Sequence, residues 1–143
     1  MNNAIAAADA DGDANATITL TGSFAIGTTL TSPTKPIIID TRGFTMGGVD
    51  LGGSTDKAVT FSGTIVGATG QRGFLFDNAS GLGTLLNNGS ITGGAGTATP
   101  GTGVYFNGPV SFVNNGSVTG GSSTVGGSGL SKPSLVANSS TMV

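Results

Sequence analysis

The sequence has no cysteine, histidine, tryptophan or glutamate, and it is short of charge. Each absence excludes something. A chain without cysteine has no disulfides, which fits either a reduced cytosol or a bacterial exported protein. Lacking histidine, cysteine and glutamate, it has few options for nucleophilic or acid–base chemistry. Five basic residues scattered along 143 positions cannot build the basic stripe that nucleic acid requires. No charge occurs from 78 to 131, so backbone pairing and apolar packing must hold that stretch. Gly, Asn or Thr interrupts every apolar run well short of the roughly 18 residues of a membrane-spanning helix. The start, MNNAIAAADADGD, has no basic leading segment, so it does not read as a signal peptide, and any export signal is expected outside this sequence.

What is abundant is glycine, with 27 residues, far above the ordinary share of about 7%. Gly, Ser, Thr and Asn alone would suggest a disordered linker, but Val, Ile, Leu and Phe recur in short clusters, and disordered chains are poor in them. The pattern predicts many short strands separated by Gly- and Asn-rich turns.

A repeat organises those strands. NNGSITGG at 87–94 returns as NNGSVTGG at 114–121, and FSGTIVG at 61–67 precedes both at a similar spacing. The shared apolar position reads Ile65, Ile91, Val118, and one further step predicts Ile39, in PIIID, as the first member of that column. A second register aligns TRGFTM at 41–46 with QRGFLF at 71–76 and GTGVYF at 101–106, with GSGL at 127–130 opening a weaker copy. A period of 26–30 residues without LxxLxL or helix-forming runs predicts an all-β, right-handed parallel β-helix, a solenoid stacked coil on coil. Alternation then turns Val59, Phe61, Leu85, Asn87, Phe112 and Asn114 inward with the Ile65 column. In the other strand it buries Phe44, Phe74 and Val104 and the stack Met46, Phe76, Phe106, and it exposes Thr45, Leu75 and Tyr105. Each buried Phe or Ile contributes about 1.5–3 kcal/mol. Buried Asn87 and Asn114 invite an amide ladder; the alternative is an exposed NNG turn.

The predicted organisation has three parts. Residues 1–14 form a capping helix and turn, with Ala-rich 2–10 helical and Asn2 or Asn3 as its cap. Residues 15–130 form the coils, beginning with a strand run at 16–26. Residues 131–143 form a partial or truncated last coil, expected either to continue in a parent protein or to pair with another chain.

Three stretches carry a resemblance. AIAAADADGDANATITLTGSF at 4–24 resembles the helix-then-strand opening of many bacterial right-handed β-helix proteins. TLTSPTKPIIIDTRGFTM at 29–46 is similar to the segment that follows it there, and GVYFNGPVSFVNNGSVTGG at 103–121 resembles the repeat of autotransporter passenger domains. The resemblance implies a structural or adhesive passenger-domain fragment, secreted or on the surface of a Gram-negative bacterium. A host-surface or glycan ligand, or self-association through open ends, would be its partner. It implies no enzyme, catalytic residue, metal or cofactor.

Other functions would rest on particular residues. A polysaccharide-acting, pectate-lyase-like enzyme would use Arg42 and Arg72 in matching positions, with Asp40 and Asp77 flanking them and Asp50 and Asp56 in a loop. DADGDAN at 9–15 offers Asp9, Asp11 and Asp13 in calcium-loop spacing, but Ala14 and Leu20 stand where that loop needs Gly and Glu. An acidic turn is the simpler reading. No Gly pair ends in the Lys–Ser/Thr of a phosphate loop. An ice-binding solenoid would need an outward Thr row, which Thr45, Leu75 and Tyr105 do not supply and of which Thr92 and Thr119 give only two members; a self-assembling fibre would instead stack open ends. Asn15, Asn78, Asn88, Asn115 and Asn138 open N-x-S/T sequons. The connections at 40–43, 66–73, 92–103 and 119–129 lengthen along the chain, placing every insertion at one corner.

Overall fold

A computed structural model describes residues 1–25, 27–51, 57–77, 83–96, 101–122, 130–131 and 136–137. Helix α1 (Asn2–Ala10) leads into strands β1 (Ala16–Thr19), β2 (Thr28–Leu30), β3 (Ile37–Gly47) and β4 (Val49–Leu51). β5 (Ala58–Val66), β6 (Phe74–Asp77), β7 (Gly83–Asn87) and β8 (Ser90–Thr92) follow. β9 (Val104–Asn107), β10 (Val110–Asn114), β11 (Ser117–Thr119), β12 (Leu130–Ser131) and β13 (Val136–Ala137) complete the chain. The protein is therefore mostly β with one short N-terminal helix.

The strands form two sheets. One runs β1-β3-β5-β7-β10-β13, with β8 joining β5 to β11; the other runs β12-β9-β6-β4-β2. Every pairing is parallel. The chain passes between the sheets, so neighbours in a ladder are a crossover apart in sequence. From Ile18 to Ile39 the step is 21, to Phe61 another 22, to Asn87 another 26 and to Asn114 another 27. The spacing thus grows along the chain and is shorter near the N-terminus than the repeat alone suggests.

Alternating side chains from both sheets enter one buried cluster. One inward row of the first sheet is Ala16, Ile37, Val59, Leu85, Phe112, and the next begins Ile18, Ile39, Phe61. In the second sheet Val49, Phe74 and Val104 stack beside Leu30, Leu51, Phe76 and Phe106. Phe106 and Phe112 meet across the sheets with ring centroids 5.2 Å apart. The registers 74–104 and 76–106 and the burial of Phe61, Asn87 and Asn114 agree with the sequence reading, as does the pairing of Leu130 with Val104.

Two registers differ from it. Ile39 is not the predecessor of Ile65; it pairs with Phe61, while Met46 pairs with Ile65, which continues to Ile91 and Val118. TRGFTM is not a copy of QRGFLF either: Val49 and Leu51, not Phe44 and Met46, stand beside Phe74 and Phe76. The cause is an irregularity between Asp40 and Thr45, where Arg42 (φ 49°) and Gly43 (φ 82°) adopt left-handed backbone. The ladder breaks there and resumes in the same sheet, leaving Phe44 exposed and Met46 buried.

At the N-terminus α1 forms as expected and buries Ile5 and Ala8. Its cap is Met1, whose carbonyl accepts from the amides of Ala4 (2.8 Å) and Ile5 (3.0 Å). Asn2 is spent elsewhere: its Oδ1 accepts from Thr31 N at 3.1 Å, tying the helix to the segment after β2. Of the strand expected over 16–26, the described residues form Ala16–Thr19 and a bridge from Phe24 to Met46; residue 26 lies outside them.

Candidate functional site

The outer face of the second sheet carries the side chains that its inner face excludes. Period two places Thr29, Asp50, Leu75 and Tyr105 in one outward row, each paired in register with the next. Beside that row runs the connection 67–73 between β5 and β6. Hydrogen bonds pin this connection: Gly67 N donates to Thr92 O (2.8 Å), Gly70 N to Ala95 O (2.9 Å) and Gly73 N to Thr102 O (2.9 Å). Between row and connection lies a cleft of about 340 Å³, lined by Gly27, Thr29, Asp50, Gln71, Arg72 and Leu75 among others.

Asp50 is the unusual group in it. Its Oδ2 accepts a long bond from the Thr29 hydroxyl (3.5 Å), while its Oδ1 is buried with no hydrogen-bond partner. Burial first, and then the negative charge of Asp77, push its carboxyl above the usual carboxylate range; the Thr29 hydroxyl and Arg72 pull the other way. Arg72 forms no ion pair with it: among the described residues, Lys35–Asp11 is the one salt bridge within 4.0 Å. The Arg72 guanidinium instead lies over the Tyr105 ring, 4.5 Å from its centroid, a cation–π contact. One row further along, Asn107 Nδ2 donates to Asp77 Oδ1 at 3.0 Å.

A pH prediction follows from Asp50. A carboxyl whose folded value is raised favours the protonated state, so its favourable contribution is complete in strong acid and is lost as pH rises through the folded value. Asp50→Asn, which removes that titration, is expected to raise Tm relative to wild type at neutral pH. The gain should vanish in strong acid, as thermal melts at both pH values would show.

This placement corrects several sequence expectations. Asp50 lies in β4 rather than in a loop; Asp56 lies outside the described residues. Arg42 and Arg72 do not occupy matching positions: Arg42 sits in the irregular part of β3, its N–H donating to Asp40 Oδ1 at 2.9 Å, and Arg72 precedes β6. Leu75 and Tyr105 are half-buried rather than exposed.

The segment 9–15 holds the Lys35 ammonium, which donates to Asp11 Oδ1 (2.8 Å), Asp11 O (2.8 Å) and Asp13 O (3.0 Å). The Lys35 hydrogen bond holds the Asp11 carboxyl below its usual range. Among the described residues no group of three acidic side chains is placed to hold a metal ion.

The chain matches no protein-family model, no curated protein and no solved structure. Function must therefore be argued from its own geometry.

Asn87 and Asn114 form the internal ladder. Asn87 Nδ2 donates to Asn114 Oδ1 at 2.7 Å, and both residues are buried. Outside, Asn115 Nδ2 donates to Asn88 Oδ1 at 3.0 Å, so two of the sequon asparagines bond one another; Asn78 and Asn138 lie outside the described residues. Thr92 and Thr119 make a hydroxyl pair at 3.2 Å. Among the described residues no helix is long and apolar enough to cross a membrane.

The cleft was not foreseen, although a signal for it exists. Gly48-Val49-Asp50-Leu51 repeats the Gly-apolar-x-apolar pattern of Gly73-Phe74-Leu75-Phe76, and the x position is the outward one.

Proposed function

We propose that this chain is a right-handed parallel β-helix of the autotransporter-passenger kind, an adhesive module displayed on a Gram-negative bacterial surface. Parallel ladders in both sheets, with steps of 21 to 27 residues in the first, support the coil-on-coil reading. So does α1, packed against β1, the first strand of the longer sheet, an edge that would otherwise stay open to another strand.

One observation carries the adhesive part. The connection from first to second sheet is 20–27 after β1, Gly48 alone after β3, 67–73 after β5 and 93–103 after β8. From β3 onward length is added at one corner, where Gly48 and part of 67–73 line the cleft, while the ladders keep register. A rigid ladder with variable loops on one side is how repeat folds present a binding face.

The reading is tested by displaying the chain on a non-adherent bacterium and counting cells retained on a glycoprotein-coated surface. Retention several-fold above the same bacterium displaying nothing is expected; equal retention contradicts it.

A polysaccharide-acting enzyme is the second reading, favoured by Asp50 and Arg72 sharing one cleft. Cleavage by paired carboxylates needs a second acid facing the first across the scissile bond. Among the described residues lining the cleft, Asp50 is the one acid. No shortening of neutral or uronate polysaccharides is expected on prolonged incubation. A new reducing end or unsaturated product would establish the enzyme instead.

A further inference from the structure

We infer that the Asp50–Arg72 cleft is a saccharide site that takes a neutral sugar through a pair of adjacent hydroxyls, with Tyr105 as the platform that holds Arg72. This deepens the adhesive reading and rests on it.

The chemistry comes from what the cleft leaves unmatched. Asp50 offers its Oδ2, whose one protein donor is the long Thr29 bond, while Oδ1 stays buried behind it. Arg72 offers guanidinium N–H groups that form no salt bridge. Gln71 adds an amide that both donates and accepts. Acceptor and donors thus face one cleft without satisfying one another. Oδ2 accepts from one of two neighbouring hydroxyls, and charge-assisted bonds are the stronger kind. A guanidinium beside it then donates to the next sugar oxygen.

Charge selects a neutral ligand. The charged residues lining the cleft are Asp50 and Arg72, one of each sign, so a neutral sugar meets no net charge, whereas a uronate carboxylate is brought against the Asp50 carboxylate. The volume, about 340 Å³, lies at the low end of the roughly 300–1,000 Å³ of small-molecule sites. That suits one or two sugar rings. The exposed backbone at Gly27 lets a ring approach closely, whereas buried Gly48 is closed by the Arg72 carbonyl. A Cβ at Gly27 would sit 3.4 Å from Gly48 O, an ordinary contact, so a side chain there occupies the cleft without displacing its wall.

Tyr105 does not itself take the sugar. Its ring face is covered by Arg72, so it fixes the guanidinium instead of stacking on sugar.

The test uses the full chain, labelled for amide NMR and titrated with the methyl glycosides of glucose, galactose and mannose and with glucuronate. At least one neutral glycoside is expected to shift the amides of Gly27, Gly48, Gln71 and Arg72, and glucuronate to shift them less. Asp50→Asn and Gly27→Val are each expected to weaken binding by about tenfold or more, about 1.4 kcal/mol in binding free energy. Tyr105→Leu should weaken it several-fold, with recovery in Tyr105→Phe, which keeps the ring. Folding of each variant is checked by retention of the core amide pattern. No glycoside shifting the cleft amides, or shifts unchanged by both Asp50→Asn and Gly27→Val, overturns the site. Displayed bacteria that adhere equally with Asp50→Asn also overturn it while leaving the adhesive reading intact. Sugar binding at these residues without adherence removes the adhesive reading and keeps the site.

Discussion

Gly63→Ala is expected to destabilise the protein by about 3 kcal/mol or more, combining strained backbone with overpacking. Gly63 has φ 120°, a conformation closed to side chains, and an added Cβ would overlap the Thr41 hydroxyl and its Cβ. Thr41 cannot yield easily. It is fully buried, and its Oγ1 accepts from Thr64 N at 3.2 Å. It also belongs to the irregular stretch between Asp40 and Thr45, so moving it disturbs the re-entry of β3 at Met46. The damage therefore reaches the row Met46, Ile65, Ile91, Val118. Urea unfolding should show a much lower midpoint with an unchanged slope. A midpoint within error of wild type would mean that the chain does not bend here as described.

Asn87→Ala is expected to cost about 3 kcal/mol, because it strands the buried Asn114 amide and two part-buried backbone groups at once. The amide donates to Asn114 Oδ1 (2.7 Å) and Ser117 O (3.3 Å) and accepts from Gly89 N (3.0 Å). Asn114 in turn donates to Gly116 O at 3.3 Å, so each amide closes the turn that follows it. The column Ile18, Ile39, Phe61 becomes polar at Asn87 and Asn114 because those two turns contain backbone groups that no strand partner reaches. Replacing both Asn residues with Leu should cost less than the sum of the single replacements, with a coupling of about 1 kcal/mol or more. Additive losses in the same urea series would contradict a direct bond between them.

The part of the fold legible in the sequence is the part where successive passages have equal length. NNGSITGG and NNGSVTGG align because the same residues intervene between turn and strand, and Asn87–Asn114 and Ile91–Val118 pair accordingly. The reading failed at Ile39 and TRGFTM for a local reason. Where β5 has Gly63 alone between paired Ser62 and Thr64, β3 has Thr41 through Phe44 between paired Asp40 and Thr45. A spacing argument cannot see residues that loop out within one strand, and RGF at both places imitates a register that the backbone does not use.

The site was obscured by brevity. Val49-Asp50-Leu51 is three residues between glycines, too short for alternation to be counted, so Asp50 read as a loop acid. At 9–15 the sequence shows calcium spacing and reads as an acidic turn, but the cation that answers it, Lys35, lies 24 residues from Asp11 and is not visible in the local pattern. Leu75 and Tyr105 were assigned to the correct face, but their burial depends on Arg72 and the neighbouring rows, which period two does not report.

Methyl and aromatic NOEs in the labelled chain test the stacking order most directly. Contacts from the Met46 methyl to Ile65, from Ile65 to Ile91 and from Ile91 to Val118 are expected, with Ile39 touching the Phe61 ring instead. A direct Ile39–Ile65 contact with none from Met46, or no contact between residues of successive passages, would contradict the ladder and the cleft built upon it.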